Sequence, residues 1–121
     1  MLNSGQDQIG WGGMGTIQND GLPAGSSMLQ QIEAVQQMGV NVRVSFGGAM
    51  GSEPALQFSS ADKLADAYQS VIDRYHVNSL DFDIEGGAIA NSAANQLRNE
   101  ALVVVNEANP DLDISFTLPA M

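Results

Sequence analysis

The sequence predicts an α/β fold in which parallel strands are joined through helices, and three observations carry that expectation. Three segments show helical periodicity, three short β-type runs stand between and after them, and the two kinds alternate in the order helix, strand, helix, strand, helix, strand. Strands separated by helices of roughly 12–18 residues are connected by crossovers, which are right-handed between parallel neighbours. At 121 residues the chain is one domain by size. Surface scaling gives it roughly 6,200 Å² folded against about 18,400 Å² unfolded, enough burial for a core.

Residues 1–25 are rich in Gly, Asn, Asp and Gln, with Trp11-Gly12-Gly13-Met14-Gly15 and Asn19-Asp20-Gly21 as turn signals. This stretch reads as loop, with a short extended piece around 9–11. It is long for a loop inside a small domain, which points to a functional loop or a missing neighbour. The first helix is expected over 27–38, with Met28, Leu29, Ile32, Val35 and Met38 on one face and Gly39 as its stop. The second opens at Ser59-x-x-Asp62 and carries Leu64, Tyr68, Val71, Ile72 and Tyr75 on one stripe. The third spans 92–108, with Leu97, Ala101, Leu102, Val105 and Ala108 in register, and Asn109-Pro110 ends it. The β-type runs cover 42–46, 79–84 and 112–118. Beyond the βα alternation there is no internal repeat.

Composition narrows the function. Fourteen acidic residues against four Lys and Arg leave a net charge of −10. Nucleic-acid binding and attachment to anionic membranes both draw on clustered basic residues, so neither partner is expected. There is no cysteine, which excludes disulfides, thiolate metal sites and a Cys nucleophile but does not fix the compartment. Met1-Leu2-Asn3-Ser4-Gly5-Gln6 has neither the basic region nor the apolar run of a signal peptide. No stretch approaches the ~18 apolar residues of a membrane span.

The chemistry is concentrated in Asn78-Ser79-Leu80-Asp81-Phe82-Asp83-Ile84-Glu85-Gly86-Gly87. Side chains alternate across a strand, so Leu80, Phe82 and Ile84 share one face and Asp81, Asp83 and Glu85 the other, successive carboxylates lying about 6–7 Å apart. The apolar face belongs under the helices. Three stacked acids without partners are costly to bury, and their repulsion raises a carboxyl pKa, which suits a general acid. Glu85 lies toward the C-terminal strand end, where parallel sheets place their sites, and Gly86 and Gly87 let the backbone turn closely around it. Two other readings stand beside this one. One is a solvated edge strand; the other is a divalent-cation site, for which Asp-x-Asp-x-Glu offers hard oxygen ligands but the lone His76 is remote.

Asn78-x-x-Asp81-x-Asp83-x-Glu85 resembles the Asp-x-x-Asp-x-Asp-x-Glu signature of the family 18 glycoside hydrolases, the chitinases and endo-β-N-acetylglucosaminidases. Ser45-Phe46-Gly47-Gly48 is similar to that family's Ser-x-Gly-Gly motif on the third barrel strand, and the combination of Val44-Ser45-Phe46-Gly47-Gly48-Ala49, Leu80-Asp81-Phe82-Asp83-Ile84-Glu85-Gly86 and Ser115-Phe116-Thr117-Leu118-Pro119 is similar to a bacterial chitinase branch. The resemblance implies a partial (β/α)8 TIM barrel of three to four βα units. It maps 1–121 as one partial catalytic domain, with a loop-rich entry over 1–25 and βα units over 26–121. It covers the third, fourth and fifth barrel units with the loop and helix before them, and gives strands one, two and six to eight no counterpart. The implied activity is retaining, substrate-assisted hydrolysis of β-1,4-N-acetylglucosaminide linkages, in an extracellular setting, with no cofactor and no metal.

In that scheme Glu85 protonates the glycosidic oxygen and later activates water. Asp83 orients the substrate's N-acetyl group, whose carbonyl oxygen is the nucleophile, so no protein nucleophile is needed. Asp81 pairs with Asp83 and shares a proton with it. Ser45, Gly47 and Gly48 belong to the substrate-binding motif, and Ser45, which shares the inward face of its strand with Arg43, hydrogen-bonds into the carboxylate stack. Asn78 departs from the signature's first Asp, at the strand entrance away from Glu85, where a structural consequence is expected.

Trp11 reads either as a sugar-stacking platform or as a loop anchor over apolar surface. Ser115 and Thr117 share the inward face with Asp113 and either line the cleft or pack within the barrel interior. His76 suits the dipole at the second helix's end, and Asp62, Asp66 and Asp73 read as an exposed helix face. The partner expected is chitin or an N-acetylglucosamine oligosaccharide. The competing reading is a non-catalytic partial barrel that binds such sugars or self-associates through its open sheet edges.

Overall fold

In the computed structural model of the chain, described over residues 2–5, 8–11, 28–47, 58, 60–84 and 91–118, β-strands and α-helices alternate as the sequence predicts. The elements are β1 (Leu2–Gly5), β2 (Gln8–Trp11), α1 (Met28–Gln37), β3 (Val44–Gly47), α2 (Ala61–Tyr75), β4 (Ser79–Asp83), α3 (Ser92–Ala108) and β5 (Asp113–Thr117). The sheet runs in the order β2-β1-β3-β4-β5. β3, β4 and β5 are parallel neighbours, and each crossover between them carries a helix.

One face of this sheet makes the core. Val44, Phe46, Leu80, Phe82 and Ile84 are buried against Ile32 of α1, Leu64, Tyr68, Val71 and Tyr75 of α2, and Ala94, Ala101, Leu102 and Val105 of α3. Phe46 and Phe82 occupy one register row with Phe116. Their rings stack at 5.3 Å, and Tyr68 packs edge-on against both at 5.0 and 5.2 Å. Offset-stacked and edge-to-face pairs of this kind contribute about 0.5–1.5 kcal/mol each beyond area burial. They tie α2 to the strand pair that carries the acids.

Local signals set most helix ends. Ser60 caps α2, accepting the Lys63 amide at 3.2 Å, so the cap is one residue later than Ser59. Asn91 caps α3 by accepting from the Ala94 amide at 2.9 Å. Asn109 closes α3, donating its side-chain amide to the Val105 carbonyl at 2.8 Å and to Gln69 of α2. α2 ends on His76, whose φ of 52° is left-handed. Gln36 of α1 donates to the carbonyls of Tyr75 and His76 there, satisfying groups that a helix end leaves open.

Several expectations are corrected. The extended piece expected around 9–11 falls in β2, but the rest of the 1–25 stretch is not all loop: β1 and β2 form an antiparallel hairpin with register Leu2↔Trp11 to Gly5↔Gln8, and β1 pairs in parallel with β3 at Leu2↔Phe46. β3 therefore has a parallel neighbour on the side away from β4, where no strand was expected. Any backbone can fill the hydrogen bonds of a strand edge, so pairing overrides weak β-propensity. Residues 12–25 lie outside the described part. Met38 does not join the core: α1 ends at Gln37, and Met38 is 78% exposed in the following turn. Ala108 is also exposed, whereas Arg98 of α3 is buried and donates to Asn95. β3 starts two residues later than expected and runs to Gly47.

Candidate functional site

The face of β3, β4 and β5 opposite the aromatic row carries the polar residues, because side chains alternate along each strand. Register places Ser45, Asp81 and Ser115 side by side in one row, and Gly47, Asp83 and Thr117 in the next. β4 has a hydrogen-bonded neighbour on each side, which removes the edge-strand reading of its acids.

Three hydroxyls from the flanking strands converge on Asp81. Ser45 Oγ donates to Oδ2 at 2.9 Å, Ser115 Oγ donates to Oδ1 at 2.8 Å, and Thr117 Oγ1 lies 3.0 Å from both oxygens. The Ser45 bond is the one expected from shared strand faces. Among the described residues, Asp81 takes its hydrogen bonds from hydroxyls rather than from Asp83.

Asp83, one row nearer the C-terminal end, is 6% exposed, and its Oδ1 has no hydrogen-bond partner among the described residues. A buried acceptor left open costs about 1–3 kcal/mol, which marks the position as one where a donor from elsewhere would be welcome. Gly47 stands beside it in register. Its φ of 98° is a conformation that favours glycine.

The row below holds a cation. Arg43, just before β3, donates Nε to Ser79 Oγ at 2.8 Å, Nη1 to Ser115 Oγ at 3.3 Å and Nη2 to Asp113 Oδ2 at 2.7 Å. Ser79 Oγ also donates to Asp113 Oδ2 at 3.3 Å. Sequence reasoning placed Arg43, Ser115 and Asp113 inward by strand parity, but the contacts between them depend on inter-strand register, which parity does not give.

Glu85 and Gly48 lie outside the described residues. Trp11 is the last residue of β2, in register with Leu2, and its side chain is outside the described part. Among the described residues, no group of three His, Cys, Asp or Glu is placed to hold a metal ion. His76 sits at the far end of α2, before β4 begins.

No protein-family model matches the chain. It is 33% identical over 95 residues, 75% of its length, to a probable bifunctional chitinase/lysozyme of Escherichia coli (strain K12), and 33% identical over 95 residues to Endochitinase 11 of Metarhizium anisopliae. The catalytic domain of a hyperthermophilic chitinase from Pyrococcus furiosus superposes on 98% of the chain with a TM-score of 0.79 at 29% identity. The chain is chitinase-like. Active domain 2 of the same organism's chitinase, solved as catalytic-site mutants complexed with chito-oligosaccharides, superposes equally well at 28% identity. This chitinase-like chain spans 11% and 18% of the length of the two curated relatives and 36% of the Pyrococcus chitinase chain. Its parallel βα units are those of a partial barrel with a glycoside-hydrolase-like fold.

Proposed function

We propose that the polar face of β3, β4 and β5 is the acid-bearing part of a site that hydrolyses β-1,4-linked N-acetylglucosamine oligosaccharides with retention. The observation that carries this reading is the buried carboxylate of Asp83, its Oδ1 without a partner, set in a row between Gly47 and Thr117 and directly above an Asp81 held by three hydroxyls. An open, buried acceptor beside a glycine suits a substrate N–H. The likeness to chitinases, one of them bound to chito-oligosaccharides, names the sugar class.

In this proposal the Glu85 carboxyl group gives its proton to the glycosidic oxygen as the bond to C1 breaks. The carbonyl oxygen of the substrate's own acetamido group attacks C1, and Asp83 accepts the acetamido N–H and stabilises the positive oxazolinium ring. The Glu85 carboxylate then takes a proton from water, which attacks C1 and reopens the ring with the original configuration. Ser45 and Thr117 steady Asp81, which fixes the electrostatics beneath Asp83. Gly47 and Gly48 admit the sugar, and Trp11 offers a stacking face.

Turnover of a chito-oligosaccharide by the chain and by Glu85→Gln tests this. Removing a general acid costs about 10²–10⁴-fold, so the variant is expected to lose turnover by that order while still binding the oligomer. Undiminished turnover would overturn the role of Glu85. A second reading, sugar binding without hydrolysis in a self-associated form, is favoured by β5. It ends the described sheet with Phe116 and Leu118 50% and 62% exposed. Light scattering separates the two, since a monomer that hydrolyses the oligomer rejects the second.

A further inference from the structure

We propose that Arg43 is a positioning residue that sets the direction of the Ser115 hydroxyl and, through it, the presentation of Asp81. The inference rests on the reading of Asp81 as part of the acid row, and concerns a side chain one layer below it.

A guanidinium has five N–H donors and no acceptor, so wherever Arg43 meets a hydroxyl, that hydroxyl must accept. Ser115 Oγ lies 3.3 Å from Arg43 Nη1 and 2.8 Å from Asp81 Oδ1. With one lone pair turned to Arg43, its single proton is directed to the carboxylate. Ser79 is placed in the same way, accepting from Nε and donating to Asp113. Arg43 thus polarises two hydroxyls on two strands, and only the Ser115 branch leads to the acid row.

Charge and exposure argue that this is more than a clamp. The Arg43–Asp113 pair spans 2.7 Å with side chains 49% and 63% exposed, and exposed pairs contribute about 0–1 kcal/mol. The described charged groups on this face are Arg43, Asp81, Asp83 and Asp113, so Arg43 is the one cation among three carboxylates. Reaching Ser79, Ser115 and Asp113 together needs a planar fork. A lysine ammonium can keep the ion pair with Asp113, but it is a point charge without that geometry.

The test reads the carboxyl carbon resonance of Asp81 at neutral pH, with thermal melting, in the wild-type chain, Arg43→Lys, Arg43→Met, Ser115→Ala and the Arg43→Lys/Ser115→Ala double variant. Both Arg43 substitutions are expected to shift the Asp81 resonance in the direction that Ser115→Ala does, and Arg43→Lys to add nothing once Ser115 is alanine. Arg43→Lys should melt close to the wild type, so the shift is read in a folded chain. An Asp81 resonance that stays in place in both Arg43 variants, or effects that add to Ser115→Ala, would overturn the proposal. A purely structural clamp would lower the melting temperature and leave that carbon unmoved. Turnover of a chito-oligosaccharide is measured in parallel: an inactive wild-type chain counts against the enzymatic reading, while the carboxyl resonance still decides the role of Arg43.

Discussion

Asp83 combines burial with an unfilled oxygen, so replacing it separates stability from function. Asp83→Asn removes a charge from a buried position while keeping the shape. It is expected to raise the unfolding free energy by about 1 kcal/mol, as happens where a functional group is held at a stability cost. The same change should abolish chito-oligosaccharide turnover. Denaturant unfolding checks the first outcome, and a lowered midpoint would mean that the Asp83 charge is compensated in the fold. At this scale the sequence was informative wherever strand parity decides. The shared face of Asp81 and Asp83, and the Ser45–Asp81 bond, follow from a period of two and from adjacent strands. The triple grip on Asp81 was not readable, because it needs Ser115 and Thr117 to stand in register with Asp81 and Asp83.

The caps and strand ends belong to the scale of elements. Ser60 accepts the Lys63 amide at 3.2 Å, so Ser60→Ala should cost about 1 kcal/mol, and Ser59→Ala should leave the α2 end intact. His76 holds a φ of 52° at the end of α2, a conformation that costs an ordinary residue about 1–2 kcal/mol. His76→Gly is therefore expected to stabilise the chain by about 0.5–1 kcal/mol, part of the relief being offset by glycine's greater freedom when unfolded. Thermal melts of the three variants check both signs. Periodicity located α1, α2, α3 and the three parallel strands, since each has an apolar stripe or alternation. It gave no sign of β1, and β2 was visible only as a short extended piece around 9–11, because Leu2-Asn3-Ser4-Gly5 and Gln8-Ile9-Gly10-Trp11 are glycine-containing and polar. Their strand character comes from pairing with each other and with β3. The buried Arg98 was equally hidden, since a helical stripe gives no sign that a guanidinium will be covered.

In the molecule as a whole, one face of the sheet is packed by helices and the other presents the acids. Phe82 joins the two, ringed by Phe46, Tyr68 and Phe116 and flanked in sequence by Asp81 and Asp83. Phe82→Ala should cost about 3–5 kcal/mol, a large part of a small domain's stability, and far-UV circular dichroism would show a strongly lowered melting temperature. The alternation of helix and strand, and with it the side on which the acids lie, could be read from residues 27–118. The neighbours of β3 and the contacts of Arg43 could not, because they arise only when separate strands meet. The central claim is that this acid-bearing face is where a chito-oligosaccharide binds. Titrating a chito-oligosaccharide into the isotope-labelled chain tests it most directly. Resonance shifts are predicted at Ser45, Gly47, Gly48, Asp81, Asp83, Glu85, Ser115, Thr117, Trp11 and their immediate neighbours. Shifts on the outer surfaces of α1, α2 and α3 instead, or none at saturating sugar, would contradict it.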